Sequence, residues 1–370
     1  MTSEGLRNII LIVFDCLRAD FCFPNAPPFI EQFKDKAESY IQFISVATST
    51  VPCFASMLTG LYPDSHGIPG HPTTRKHITE ESWSLKKGVV TLAQILKAKG
   101  YNTYAEVSEP LVMPFGLNRG FDHYNVRPNK ISIFDDDYFP QLTELVNNLK
   151  SPYFFMLHIF HLHGSNKYER FERLCLKTEE LFKDIELGDT IFIIAGDHGE
   201  KVANEKVEHG FHVLEHLVRI PLIISGRDID KKIISEQHSQ VDLMPLILNK
   251  LGISPDLPYK IQGSFCPRKF AYVRSVGAPL PESEWLAGIR TEEYKYIIKI
   301  KSKELVALHR LPGEEELSVD EHKDVADTLR NRLMDIMEQA KQLQLGDRDK
   351  WTKEEEARVI ERLKALGYIN

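Results

Sequence analysis

Residues 190–200, TIFIIAGDHGE, constrain the fold of this chain more than any other segment. Ile191, Phe192, Ile193, Ile194 and Ala195 run without a polar break into Gly196, and Asp197 and His198 follow at once. Such an uninterrupted apolar run suits a strand buried on both faces, as in a parallel sheet. Open α/β sheets hold their ligands beyond the carboxyl ends of the strands, where this carboxylate and imidazole stand. Neighbouring side chains on a continuing strand point to opposite faces. Gly196 and Gly199 are therefore expected to turn the backbone and bring both groups to one side. Asp plus His suits a divalent metal ion, but the same dipeptide also suits a strand-end turn with a helix cap. The segment alone leaves both readings open.

A chain of 370 residues has room for one large α/β domain with an appendage, or for two domains. Its 42% hydrophobic and 27% charged residues are those of an ordinary soluble globular protein. A net charge of −7 argues against a polyanion binder, so no nucleic-acid partner is expected. The apolar run at residues 9–14 is too short for a membrane span or a signal core, and only eight residues precede it. No transmembrane segment is expected, and the predicted location is the cytoplasm. Cys16, Cys22, Cys53, Cys175 and Cys266 are odd in number and fit no metal or disulfide spacing, which favours reduced thiols.

Strand and helix patterns alternate along the first two thirds of the chain. Buried strands are predicted at 8–15, 101–107, 153–160 and 190–196, with shorter ones at 40–46 and 221–225. Helical spacing is predicted at 29–37, 52–61, 91–99, 139–149, 168–185 and 242–251, with Pro52 at a first-turn position. Residues 62–72 carry three prolines and two glycines and read as loop. Residues 269–274 and 293–300 read as strands of a smaller sheet, and the charged helical pattern from Ser318 onward breaks near Gly346. The expected organisation is therefore α/β. A core spans 1–260, a strand region at 261–315 completes it, and a charged helical tail runs over 316–370. The tail's amphipathic pattern permits packing back on the domain or pairing of two chains into a homo-oligomer.

Three strand ends offer polar groups: Asp15, the region from His158 to His163, and Asp197–His198. Thr50 joins them from a helix start, where exposed N–H groups and the helix dipole favour an anion. A hydroxyl so placed can serve as a metal-activated nucleophile, or merely as an N-cap.

At this point the residues resemble a known group. FDCLRAD around Asp15, Thr50-Val51-Pro52 leading to Leu58-Thr59-Gly60 and Tyr62-Pro63, and GDHGE at 196–200 occur in that order. So do TLAQILKAKGYNT (91–103), Gly120-Phe121-Asp122, His158 with His163, EHG with LVRIPLII (208–224), VDLMPLIL (241–248), IRTEEYKYI (289–297) and ERLKALGY (361–368). Together they resemble the sulfatase branch of the alkaline phosphatase superfamily, over nearly the whole chain. The resemblance implies a three-layer α/β/α sandwich around a mostly parallel sheet, with a small C-terminal sheet and a helical tail. It further implies that Asp15, Asp197 and His198 bind a divalent cation, with the Thr50 oxygen as a fourth contact. His163 matches a histidine that in relatives contacts the transferred group or its leaving oxygen. His209 matches one that binds substrate, protonates a leaving group or ligates a second metal. His161 and His212 are further candidates for a second metal or for substrate, although His158, His212 and His216 are more naturally read as satisfied structural histidines.

Two departures bear on chemistry. Relatives often carry a second acidic ligand where this chain has Cys16, which shifts the expected metal from calcium or magnesium towards manganese or zinc. Sulfatases proper carry Cys or Ser at the nucleophile position, followed by Pro and then Arg, and oxidise it to formylglycine. Here that position is Thr50, Pro52 is kept and the arginine position is Phe54. The extra methyl of threonine blocks the aldehyde, so no formylglycine is expected. The lysine-bearing element expected after the strand at 101–107 is replaced by AEVSEP. The expected function is a metal-dependent phosphoester hydrolase or phospho-group transferase acting on a small soluble substrate through a phospho-threonine intermediate. A sulfuric-ester hydrolase without formylglycine, and an inactive member serving as a binding subunit, are the alternatives.

Overall fold

Six of the seven residues of β1 (Asn8–Phe14) are buried, and they divide cleanly between two faces. Ile9, Leu11 and Val13 enter one apolar cluster, while Ile10, Ile12 and Phe14 enter another. A strand with period-two side chains can do this only where both faces of its sheet are covered. The computed structural model describes residues 6–71, 80–108, 111, 115–127, 137–160, 162, 166–185, 189–203, 206–208, 210–276 and 281–365.

Among these residues the main sheet has nine strands. They are β1, β2 (Ala37–Ile44), β3 (Asn102–Val107), β4 (His123–Val126), β5 (Tyr153–Ile159), β6 (Thr190–Gly196), β9 (Arg219–Ser225), β10 (Lys232–Ile234) and β11 (His238–Ser239). A separate hairpin, β7 (Lys201–Ala203) with β8 (Lys206–Glu208), lies between β6 and β9 in the chain. The order across the sheet is β10-β2-β9-β6-β1-β5-β3-β4, with β11 also on β2. All ladders are parallel except those of β9, which runs antiparallel to both β2 and β6. The expected α/β sandwich around a mostly parallel sheet is therefore the fold observed.

Helices α1 (Pro28–Lys34), α5 (Phe139–Asn147) and α6 (Lys167–Phe182) cover one face, where Ile30, Leu142, Val146, Phe171 and Phe182 pack on β1 and β6. On the other face lie α2 (Thr50–Thr59), the single turn α3 (Pro63–His66), α4 (Leu92–Ala98) and α8 (Leu243–Lys250). A turn of helix, α7 (Glu215–Val218), leads directly into β9. The second sheet is antiparallel: β12 (Ala271–Ser275), β13 (Leu286–Arg290), β14 (Tyr294–Lys299), β15 (Leu305–Arg310) and β16 (Glu315–Glu316). Helix α9 (Lys323–Gln342) lays Leu329, Leu333 and Met337 on this sheet, so its apolar stripe is covered by its own chain. Helix α10 (Lys353–Ala365) follows and places Val359 in the core beneath the main sheet.

The differences from the sequence reading have local causes. Helix α2 starts at Thr50, two residues earlier, because Pro52 needs no backbone donor in the first turn. Residues 62–72 are not all loop, since Pro63 at its first position supports α3. β4 carries no apolar run and was not anticipated; its pairing with β3 holds it. None of the five cysteines forms a disulfide, and no helix of the described residues is long and apolar enough to cross a membrane.

A buried ion cluster joins the two sheets. Glu215, at the start of α7, pairs with Arg290 of β13 at 2.9 Å and with Lys295 of β14 at 2.7 Å. Arg290 also donates to Gln42 of β2 at 2.9 Å, and Lys295 reaches Glu314 at 2.8 Å. Burial would raise the Glu215 carboxyl, but Lys295 and Arg290 outweigh it and hold the group down at about 2, from an ordinary 4.5. The stability this depressed acid contributes is present above its unfolded value and is lost as pH falls from 4.5 towards about 2. Glu215→Gln is expected to cost roughly 3–5 kcal/mol at neutral pH, because it takes the carboxylate from buried Arg290 and one of two from buried Lys295. The gap in Tm between wild type and variant should close across that acid window, as followed by circular dichroism.

Candidate active site

The pairing of β1 with β6 sets Phe14 opposite Gly196, so the next residues, Asp15 and Asp197, emerge side by side at the carboxyl ends of adjacent strands. Both are fully buried. The Asp15 N–H donates to the Ile159 carbonyl at 2.9 Å, extending the β1–β5 ladder by one bond. Asp197 Oδ1 accepts from the Cys16 N–H at 2.9 Å and from the His198 N–H at 2.7 Å. Gln240, whose Nε2 donates to the Asp197 carbonyl at 2.7 Å, fixes the strand end from behind. The two glycines act differently from expectation. Neither Gly196 nor Gly199 has a positive φ. A Cβ on Gly199 would lie 2.0 Å from the His216 carbonyl, and one on Gly196 2.4 Å from that of Leu17. They admit a close backbone approach.

Thr50 completes the group. Ser49 occupies the N-cap position of α2 without a side-chain cap bond. The Thr50 hydroxyl, only 6% exposed, instead donates to Asp15 Oδ2 at 3.0 Å and sits 3.3 Å from His198 Nε2. His198 Nδ1 lies 2.8 Å from the Gly199 carbonyl, which can only accept, so Nδ1 donates there and Nε2 faces Thr50 and Asp197. Asp15, Thr50, Asp197 and His198 therefore converge. His212 is exposed and stands outside this cluster. His161, His163 and His209 lie outside the described residues.

His158 stands against the same group. Its ring is fully buried, with Nε2 3.3 Å from Asp15 Oδ2 and Nδ1 3.4 Å from Ser108 Oγ. Phe54, at the position where an arginine was expected, packs edge-on against this imidazole at 5.0 Å. A single histidine near the carboxyl end of an otherwise apolar strand was the available signal. Also unanticipated is Lys167, the first residue of α6, which forms a buried ion pair with Glu200 of the GDHGE segment.

The electrostatics ask for a cation. Asp197 is pushed up by burial first and by Asp15 second, and His198 and His158 only partly offset this. The Cys16 thiol is pushed well up by burial and by Asp15, Glu200 and Asp197. Asp197 Oδ2 is buried without a hydrogen-bond partner, 3.4 Å from His198 Nε2. Leaving a buried carboxylate oxygen unsatisfied costs free energy that a bound cation returns. One atom each from Asp15, Cys16 and His198 also lies within 4.8 Å of the other two, close enough to share an ion. The donor set thus fits a divalent metal.

The sulfatase family profile matches residues 7–174 and 177–253. The chain belongs to the sulfatase family. No curated protein matches this sulfatase-family sequence. Among solved structures, a phosphonate monoester hydrolase from Silicibacter pomeroyi aligns with a TM-score of 0.71 at 15% identity, over 91% of this chain and 96% of its own. An alkaline phosphatase superfamily protein from Vibrio parahaemolyticus aligns at 0.65 and 16%, over 94% and 90%. A Bacteroides thetaiotaomicron protein of glycosaminoglycan metabolism aligns at 0.71 and 16%, over 90% and 97%. At such identities the likeness establishes the fold alone.

A divalent ion at about one hundred times its dissociation constant should stabilise the protein by about 2.7 kcal/mol. Asp197→Asn is expected to lose most of this gain. Thermal melts with and without metal read both effects, and an equal gain in wild type and variant would contradict the placement.

Proposed function

We propose that this protein is a metal-dependent hydrolase or phospho-group transferase that cleaves a phosphoester, with Thr50 as the nucleophile. The supporting observation is the Thr50 hydroxyl, held between Asp15 Oδ2 at 3.0 Å and His198 Nε2 at 3.3 Å at the first turn of a helix. An N-terminal hydroxyl of this kind faces the positive end of the helix dipole, which favours the attacking oxygen as it gains negative charge.

Asp15 Oδ2 accepts the Thr50 proton in a hydrogen bond and so directs an oxygen lone pair away from the carboxylate. In the proposed reaction the Thr50 O–H bond breaks, its proton passing to Asp15 Oδ2, and Oγ1 forms a bond to phosphorus while the ester bond on the opposite side breaks. The leaving oxygen departs with its electron pair and takes up a proton, a role assigned in this proposal to His163 or His209. Water, or an acceptor alcohol, then attacks phosphorus, and the Thr50 Oγ1–phosphorus bond breaks to release the phospho group. A divalent ion held by Asp15, Thr50, Asp197 and His198 would offset charge on the nucleophile and on the phosphoryl oxygens. His158 Nε2, 3.3 Å from Asp15 Oδ2, is proposed as a positioning residue that keeps the carboxylate turned towards Thr50.

Phosphorus is preferred over sulfur because of the side chain itself. Oxidation of a threonine would give a ketone rather than the aldehyde whose hydrate attacks sulfate esters. The family match supports a second reading, sulfuric-ester hydrolysis by an unmodified threonine, and the same assay separates the two. Metal-loaded protein should turn over an aryl phosphate mono- or diester or a phosphonate monoester faster than an aryl sulfate. Thr50→Ala should lower kcat/KM by on the order of 10⁴-fold or more while leaving the melting curve in place. Rapid acid quench and mass spectrometry should find phosphate on Thr50. Sulfate turnover with unmodified Thr50 would favour the second reading, and no turnover in any arm would indicate a binding subunit.

A further inference from the structure

Cys16 follows Asp15 directly, and its side chain is fully buried beside the four groups assigned to the metal. Its backbone stands at φ +59, in the left-handed region that a non-glycine residue enters only when its surroundings hold it there. One restraint is visible: the Cys16 N–H donates to Asp197 Oδ1 at 2.9 Å. The effect of this turn is to keep the thiol at the site. Cys16 Sγ, an Asp15 carboxylate oxygen and a ring nitrogen of His198 all lie within 4.8 Å of one another. Asp197 Oδ2, buried and without a hydrogen-bond partner, is an independent sign that this place is short of a cation.

The geometry points to Cys16 as a thiolate ligand that, with Asp15, Asp197 and His198, makes this a mixed sulfur, nitrogen and oxygen site for a zinc-class ion, discriminating against calcium and magnesium. This inference rests on the metal-dependent reading above and goes further by naming the ligand that selects the ion. On binding, the S–H bond breaks, its proton leaves to solvent and a sulfur–metal bond forms; no electrons are transferred. Thiolate sulfur favours zinc and cobalt, whereas calcium and magnesium take hard oxygen donors. The competing account makes Cys16 a small apolar filler packed with Phe14 and Leu17. The two accounts differ in what the sulfur does when metal arrives.

The test is cobalt(II) titration of the metal-stripped full-length protein, read by absorption. Wild type should show visible d–d bands together with a near-ultraviolet sulfur-to-cobalt charge-transfer band, and the latter should vanish in Cys16→Ser. The other four cysteines remain in that variant, so its loss assigns the sulfur. Zinc affinity should fall at least about tenfold in Cys16→Ser, since even partners outside the ligand set cost about 10–100-fold when removed. Cys16→Asp should shift preference towards calcium. Circular dichroism establishes which variants fold, with Cys16→Ala in reserve. Visible bands without the charge-transfer band in wild type would overturn the thiolate and leave the metal-dependent reading standing. No cobalt bands at all in wild type would overturn both.

Discussion

Two carboxylates buried side by side set the terms for the rest of the site. The β1–β6 register places Asp15 and Asp197 at adjacent strand ends, and both are shut away from water. Like charges at this separation in a low-dielectric interior repel strongly unless something positive sits between them. Around them the chain gathers two imidazoles, a helix N-terminus and a hydroxyl, each within hydrogen-bond range of a carboxylate or of one another. None of these supplies a fixed full charge. A divalent cation would answer this, turning an unfavourable pair of buried acids into a preorganised site.

The small C-terminal sheet bears on this site although it contributes no ligand to it. The Arg274 N–H of β12 donates to the Val46 carbonyl at 2.9 Å, and Arg274 bridges Ala47. Val46 and Cys53 pack in the same cluster as Tyr272, Ala287 and Leu333. The segment that delivers Thr50 is therefore clamped from below by the appended sheet and by α9. Glu215 and its two buried cations hold that sheet to β2 and α7. Packing of the appendage and placement of Thr50 are parts of one arrangement.

Much of this was legible in the sequence, for reasons that differ by residue. The strands at β1 and β6 announce themselves because burial on both faces demands unbroken apolar runs, and Asp15, Asp197 and His198 follow directly. Thr50 was placed by its distance from Leu58-Thr59-Gly60, and at the start of α2 its hydroxyl donates to Asp15. His158 was read as a structural histidine, and only the neighbouring strand shows that its partner is Asp15. Lys167 and Gln240 were missed for the same reason, since their partners lie 33 and 43 residues away along the chain. The antiparallel insertion of β9 between β2 and β6 is a matter of pairing, which periodicity within one segment does not encode. His163 and His209 gain nothing from the structure, as they fall outside the described residues.

The central claim is that one ion is held jointly by Asp15, Thr50, Asp197 and His198, with the threonine oxygen aimed at the scissile ester. A crystal structure of the manganese- or zinc-loaded protein with vanadate, with anomalous data at the metal edge, tests it most directly. The account predicts one strong anomalous peak bounded by those four side chains, with vanadium in line with Thr50 Oγ1. A peak elsewhere, or vanadate bound away from Thr50, would contradict it.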